Sequence, residues 1–373
     1  MKIAITGFSN SGKTTVFNAL TGLNLDTTSY PTLLPAEADP HFSVVKIPDK
    51  RVDKLSSIYK PKKTTYATVE YIDYLGITSV SSGGDPKQNS KVFNLIKDAD
   101  AVLHVVRAFE DETVMHPSGN IDPLRDVRAF ETELLLGDLE FVEKRIERIK
   151  TASKKGLKQD EPERKLLLKC KEALEKEVAL RNISFTKEEK NIMFSLQFLS
   201  DKPVIIALNI GESDINTDKI KNLQIETGEY FKERNKEYVL QVITVCGKIE
   251  MELVQLSPDE AKAFLDDLGI DEPAMLRLCR ISYNVLGLIS FFTVIKDEVR
   301  AWTIKKDTEA LKAAGKVHSD IERGFIKAEV VSFDDFISSD GDMAKAREKG
   351  LLRLEGKTYI VKDGDIINFK FNV

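Results

Sequence analysis

A chain of 373 residues, 42% hydrophobic and 31% charged, has the material for two or three globular domains with real cores. Its formal net charge of −5 excludes a protein coated in positive charge for bulk nucleic-acid binding, although local basic patches remain open. Cys170, Cys246 and Cys279 are widely spaced and form no CxxC pair, which fits reduced thiols better than a disulfide framework or a zinc site. No apolar run approaches the ~20 residues of a membrane span. Met1–Ile5 leads through a strand directly into a motif, which leaves no room for a signal peptide. The expectation is a soluble, cytoplasmic protein with neither membrane nor DNA as a partner.

In chain order, Met1 to about Ala129 alternates short apolar runs with helical patterns. Strands are predicted over Lys2–Thr6, Ser43–Ile47, Thr68–Ile72 and Ala101–Val106, a helix over Thr15–Leu20, and a Ser- and Gly-rich loop over Ser79–Ser90. Leu135, Leu139, Val142, Ile146 and Ile149 then recur at helical spacing. After a polar break near Lys154–Asp160, Leu167, Cys170, Leu174 and Val178 repeat the pattern. An inserted coiled-coil hairpin satisfies it, and so does a pair of ordinary amphipathic helices packed on the sheet, since each run covers only about two heptads. Buried-strand runs return at Pro203–Leu208 and Tyr238–Val245, with helical patterns through Val285. From Gly287 onward, alternating strands such as Glu298–Ile304, Phe325–Val331 and Ile366–Phe371 mark a small α+β domain. The expected fold is α/β, with a doubly wound, mostly parallel sheet over 1–130 and 200–285, a helical insertion over 131–199 and a separate domain over 286–373.

Gly7-Phe8-Ser9-Asn10-Ser11-Gly12-Lys13-Thr14 is a full GxxxxGK[ST] pattern between a strand and a helix, the context its chemistry requires. The glycines let backbone N–H groups close around a β-phosphate, and the helix N-terminus adds its dipole. Lys13 is expected on the β/γ-phosphates and Thr14 on Mg²⁺, with Asn10, Ser11, Gly12 and Thr15 completing the nucleotide-binding loop. Asp73-Tyr74-Leu75-Gly76 closes the strand Thr68–Ile72. There Asp73 can hold Mg²⁺ through water and the Gly76 amide can reach the γ-phosphate. Asn209-Ile210-Gly211-Glu212 follows the PVIIAL strand, where guanine-specific switch proteins carry Asn-Lys-x-Asp. Glu212 is one methylene longer than the Asp that reads guanine, so its carboxylate should miss the guanine edge and leave guanine's donors poorly satisfied. ATP is therefore expected to bind at least as well as GTP, with Asn209 on the base edge and Ile210 and Glu212 beside it.

These residues resemble the YchF or Obg-like ATPases, a family in the translation-factor class of P-loop proteins, nearly from end to end. The resemblance is carried by the Asn10-containing loop, Tyr30-Pro31, Ile47–Leu55, Tyr59–Lys63, Val106–Glu112, Asn209-x-x-Glu212 and Val245–Glu250. Glu298–Lys305, Ala313–His318, Arg323–Val330 and Lys357–Val373 look like that family's TGS domain, a β-grasp module. The resemblance implies a P-loop GTPase-like core interrupted by a helical hairpin, ATP in preference to GTP, Cys246 among the nucleotide-binding residues, and association with ribosomes or RNA in translation or stress control. One departure matters. Where the family follows Tyr-Pro with a short Phe-Cys-Thr-Ile stretch whose Thr can close on Mg²⁺, this chain has Thr32-Leu33-Leu34-Pro35-Ala36-Glu37, with Glu37 in the place of the Thr. Either Thr27, Thr28 or Thr32 substitutes, or the first switch does not close on the metal.

In Ras-like switches a Gln after the DxxG glycine orients the attacking water. Here that position is Ile77, which can do neither half of a hydrogen bond. His116, in the loop Glu112–Asn120, corresponds to a histidine the family places near its active site, and a neutral imidazole could position the water. A structural cap beside Pro117 is the alternative reading of the same histidine. A K⁺ ion near Asn10 is a second candidate for the missing assistance. His116, Lys13 and Gly76 are thus the expected catalytic set. The leading function is an ATP-hydrolysing switch; the alternative is a nucleotide-binding scaffold with little hydrolysis. A small-molecule kinase would need an acceptor site and an Arg-bearing lid, and the sequence offers no such cluster.

Overall fold

The computed structural model describes residues 1–25, 40–73, 86–154, 161–232, 241–295 and 297–372. The chain begins β1 (Lys2–Thr6), α1 (Lys13–Thr21), β2 (His41–Lys46), α2 (Lys50–Tyr59), β3 (Lys63–Thr65), β4 (Thr68–Asp73), α3 (Pro86–Lys97) and β5 (Ala101–Arg107). It continues through α4 (Pro123–Lys154), α5 (Glu161–Glu175), α6 (Lys187–Leu196), β6 (Val204–Asn209), α7 (Asp218–Lys232), β7 (Gln241–Val245), α8 (Gly247–Leu253), α9 (Pro258–Asp267) and α10 (Ala274–Val285). Two compact units result: Met1–Ser43 with Glu70–Leu278, and Val44–Val69 with Cys279–Val373. Among the described residues no helix is long and apolar enough to cross a membrane.

The first unit is built on a six-stranded sheet of order β2-β4-β1-β5-β6-β7. β1 pairs in parallel with both β4 and β5, β5 with β6, and β6 with β7. Every residue of β5 and β6 is buried, as expected of parallel strands covered on both faces. Val102, Val106, Ile206 and Leu208 on one face pack with Phe93, Ile96, Val127 and Phe130 from the helices. His104 lies within this sheet and stacks on Phe130 at 3.9 Å; burial holds its pKa down to about 3, so it packs as a neutral ring. The chain leaves β1 toward β4 on one side and later continues from β5 to β7 on the other. The carboxyl ends of β1 and β5 therefore flank a topological switch point, the place where open α/β sheets bind ligands.

The helical insertion reconciles both readings of its pattern. Val127, Phe130 and Leu134 of α4 belong to the core over the sheet. Farther along, Leu135, Val142 and Ile146 pack with Leu167, Cys170 and Leu174 of α5 and with Met193 and Phe198 in a second core. At 1.5 Å per residue the 32-residue α4 is roughly 48 Å long, too long for one sheet to cover, so its far portion finds its own partner. Val178 falls outside the pattern because α5 ends at Glu175 and the chain turns left-handed at Glu177 (φ 57°). Pro86–Ser90, expected as loop, is the first turn of α3, with Pro86 at its first helical position, where a missing N–H costs nothing. Residues 78–85 and the polar break at 155–160 lie outside the described residues.

The second unit holds a mixed sheet of order β11-β10-β12-β8-β9-β3, where β8 is Leu288–Ile295, β9 Glu298–Lys305, β10 Phe325–Ser332, β11 Arg353–Glu355 and β12 Asp365–Phe371. α11 (Ala310–Val317) places Ala310, Ala313 and Ala314 against Phe291, Ile304, Ile367 and Phe369. The expected boundaries need correction here, since Val44–Val69 was assigned to the 1–130 portion. β3 pairs in parallel with β9, Lys63 opposite Glu298. Arg51 of α2 bonds both Asp49 and Asp363 and lies 5.1 Å over the Phe292 ring, while Tyr59 stacks on Phe336 at 5.8 Å.

The root of the insertion hangs on one carboxylate. Asp138 of α4 accepts from Leu199 N (2.9 Å), Ser200 N (2.7 Å) and Ser200 Oγ (2.6 Å), and burial pushes its pKa up to about 6. Asp138→Ala would leave two buried N–H groups unpaired and should cost about 2–4 kcal/mol in urea unfolding. An unchanged midpoint would show that the insertion is anchored elsewhere.

Candidate active site

The phosphate loop turns off the end of β1. Gly7 is required by crowding, because a Cβ there would stand 2.3 Å from Val105 O. Gly12 is required twice over: its φ is 87°, and a Cβ would stand 2.2 Å from Asn209 Nδ2. α1 then starts at Lys13, with Gly12 as its N-cap. Lys13 is buried, and its Nζ donates to Phe8 O at 2.9 Å. Burial lowers the Lys13 pKa to about 8 against the opposing pull of Asp73. Thr14 Oγ1 donates to Asp73 Oδ2 at 2.9 Å, so β1 and β4 bring together the residues expected to hold a metal. Burial raises the Asp73 pKa above the usual carboxylate range. Its Oδ1, like the Ser11 Oγ, is buried without a hydrogen-bond partner among the described residues. The Asp73 oxygen lies beside Thr14 and so is open to a ligand held by the same two residues.

On the base side the geometry departs from expectation. Asn209 ends β6 and spends both ends of its amide on the protein: Nδ2 donates to Ser11 O and Oδ1 accepts from Gly247 N, each at 3.0 Å. Ile210 does not stand in for the lysine that packs along a base. Its side chain joins the hydrophobic core and its N–H donates to Val245 O at 2.8 Å. Cys246 is the N-cap of α8, buried, with its thiol pKa raised by that burial. Glu212 is exposed and paired with Lys248 at 2.5 Å. Thr15 lies half-buried beside Gly247, whose added Cβ would approach Thr15 Cγ2 to 3.2 Å.

The loop after β5 carries contacts that sequence reasoning missed. Arg107, buried at the strand end, donates to the carbonyls of Phe109 (3.2 Å), Asp111 (3.1 Å) and Val114 (2.8 Å) and packs on the Phe109 ring. Asn10, at φ 63°, donates through Nδ2 to Met115 O at 3.0 Å, tying this loop to the phosphate loop. His116 is buried, with Nε2 2.8 Å from Asp126 Oδ2 and Nδ1 accepting from Ser118 N at 3.1 Å. Burial lowers its pKa, against the pull of Asp126. Tyr74, Leu75, Gly76 and Ile77, and the stretch from Thr27 to Glu37, lie outside the described residues.

A lysine and a hydroxyl at the start of the helix after β1, facing a carboxylate at the end of the adjacent parallel strand, define the chain as a P-loop nucleotide-binding protein with a GTPase-like sheet. Two family profiles agree: residues 2–137 match MMR_HSR1, described as "50S ribosome-binding GTPase", and residues 288–372 match YchF-GTPase_C, described as "Protein of unknown function (DUF933)". The chain is 41% identical over 369 residues to the Ribosome-binding ATPase YchF of Bacillus subtilis (strain 168), covering 99% of this chain and 98% of that one. It is 37% identical over 376 residues to the protein of the same name from Escherichia coli O157:H7, covering 100% and 99%. Among solved structures, the Schizosaccharomyces pombe YchF GTPase superposes with a TM-score of 0.81 at 30% identity, covering 99% of this chain and 97% of that one. This chain belongs to the YchF family.

Asn209→Ala removes both hydrogen bonds that join the phosphate loop to α8. It should destabilise the protein by about 2–3 kcal/mol in chemical denaturation and weaken ATP binding about tenfold or more. Parental affinity in a calorimetric titration would show that the loops hold their places without the amide.

Proposed function

We propose that this protein is a cytoplasmic nucleotide-dependent switch that binds and hydrolyses ATP with Mg²⁺ and associates with ribosomes or RNA. The observation that carries the reading is the contact of Thr14 with Asp73 beside buried Lys13. Lys13 and Asp73 are each disfavoured as ions by burial, and a phosphate with its cation would satisfy both. Thr14 and Asp73 are the residues that would hold Mg²⁺, and the open Asp73 Oδ1 fits that role. When bound, the cation supplies positive charge against the phosphate oxygens. The backbone N–H groups of the loop at Asn10–Thr15 would bind phosphate, and the Gly76 amide would reach the γ-phosphate. K⁺ beside Asn10 is part of the same proposal, as added charge on the phosphate side.

For the base, the Glu212–Lys248 pair supports ATP over GTP. The carboxylate that would otherwise read guanine's donors is engaged by an ammonium. With Asn209 occupied by Ser11 and Gly247, nearby backbone groups around Cys246 are left to meet the adenine amino group. Association with ribosomes rests on the names of the relatives from Bacillus subtilis and Escherichia coli. In hydrolysis, His116 would position the attacking water once Nδ1 exchanges Ser118 N–H for that water. A scaffold with little hydrolysis is the second reading, favoured by the engagement of both ring nitrogens of His116.

Single-turnover hydrolysis with and without ribosomes separates the two. Lys13→Ala should abolish triphosphate binding, and retained binding at parental affinity would remove the phosphate-loop assignment. His116→Ala should cut turnover by ~10²-fold or more with ATP affinity nearly unchanged, the size of a lost water-positioning group. Turnover at the parental rate in that variant would make the histidine structural.

A further inference from the structure

His116 and Asp126 form a pair more enclosed than a loop cap needs, with side chains 3% and 4% exposed. The hydrogen-bond directions fix the chemistry of the ring. Ser118 N is a backbone amide and can only donate, so Nδ1, 3.1 Å away, must be unprotonated. The proton therefore sits on Nε2 and is donated to Asp126 Oδ2 at 2.8 Å. The other carboxylate oxygen is spoken for: Asp126 Oδ1 accepts from Arg125 Nε (3.1 Å) and Nη2 (2.9 Å). Arg125 is itself held by Asn120, through Nη1 to Oδ1 (2.6 Å) and Nη2 to the backbone O (2.9 Å). The charged groups acting on His116 are Asp126, Arg125 and Arg107. One residue before His116, Met115 O accepts from Asn10 of the phosphate loop. The imidazole is thus oriented in one tautomer, one residue from the carbonyl that ties its loop to Asn10.

We propose that Asp126, oriented by Arg125, is the positioning residue for hydrolysis: it holds His116 as the neutral imidazole with Nε2 protonated, so that Nδ1, once it exchanges Ser118 N–H, is the acceptor for the attacking water. The inference rests on the reading of His116 as the water-positioning group. In the step, the water oxygen bonds to the γ-phosphorus as the bond from that phosphorus to the β,γ-bridging oxygen breaks, giving ADP and inorganic phosphate. The proton leaving the water passes to Nδ1 and from there to the released phosphate. The carboxylate stays ionised throughout and stabilises the ring as it takes the proton, as the orienting aspartate does in hydrolase triads.

Asp126→Asn is the decisive variant because Arg125 dictates how the amide sits. The guanidinium needs an acceptor, so Asn Oδ1 turns to Arg125 and the NH₂ faces Nε2. That forces the ring proton to Nδ1, toward a backbone donor, and takes away the acceptor. Turnover should fall about tenfold or more with KM for ATP changed less than about twofold. Adding Arg125→Ala frees the amide to flip and present its oxygen to Nε2–H, so the double variant should regain turnover relative to Asp126→Asn alone. A merely structural pair would only lose more. Selective ¹⁵N-histidine NMR of the parental protein should show His116 protonated on Nε2 alone near neutral pH, a readout independent of folding in any variant. Asp126→Asn at or above the parental rate, while His116→Ala loses turnover, would overturn the inference and leave the histidine's role intact. His116→Ala at the parental rate would remove both. Protonation of His116 on Nδ1 in the parental protein would likewise overturn it.

Discussion

Asn209 stands at the end of β6 with one side of its amide on Ser11 O and the other on Gly247 N. Through that single side chain the loops following β1, β6 and β7 are held in one arrangement. The amide is 4% exposed, so each bond is made where water cannot compete and where losing one partner strands the other. It also dictates sequence nearby. A side chain at position 12 would collide with its Nδ2, and one at position 247 would press against its Oδ1 at 3.2 Å. The phosphate loop is thus shaped as much by a residue nearly two hundred positions away as by its own glycines.

Inside that frame the charges are held under tension. Lys13 is buried and its pKa is lowered, Asp73 is buried and its pKa is raised, and the carboxylate keeps one oxygen without a partner among the described residues. A protein selected only for stability would replace such groups. They make sense as halves of a site completed by phosphate and cation, each relieving the desolvation of the other. The loop after β5 shows the opposite economy. Arg107 gathers three carbonyls, and Asp126 bonds both His116 and Arg125, so that loop is held by its own contacts. The two loops are joined where Asn10 donates to Met115 O, one residue before His116.

Much of this was legible in the sequence where the determinants are local. β1, β4, β5 and β6 fall within a residue or so of expectation because β1, β5 and β6 are short apolar runs and β4 alternates. The phosphate loop declares itself because its chemistry needs glycine, lysine and a hydroxyl at fixed spacing, and Asp73 because it ends a strand. The helix start at Pro123 was not expected, although Asp122, which precedes the proline and accepts from Arg125 N at 3.0 Å, is a helix-start signal. Ile210 continues the apolar run of β6, and its burial follows from that run better than from the motif it interrupts. What stayed hidden is non-local. Nothing near Lys63 shows that it will pair with Glu298, so α2 and β3 could not be assigned to the second unit. Asp126 lies ten positions from His116 across a segment without regular structure, and only the folded loop brings them together.

Base choice is where the local chemistry of Glu212 and Lys248 meets the ATPase name of the bacterial relatives, and it is open to direct measurement. Calorimetric titration of the full chain with ATP and with GTP, in the same Mg²⁺ buffer, provides it. With the carboxylate paired with Lys248 and Ile210 at the lysine position of the motif, ATP should bind at least as tightly as GTP. GTP binding about tenfold tighter or more, some 1.4 kcal/mol in its favour, would contradict the account.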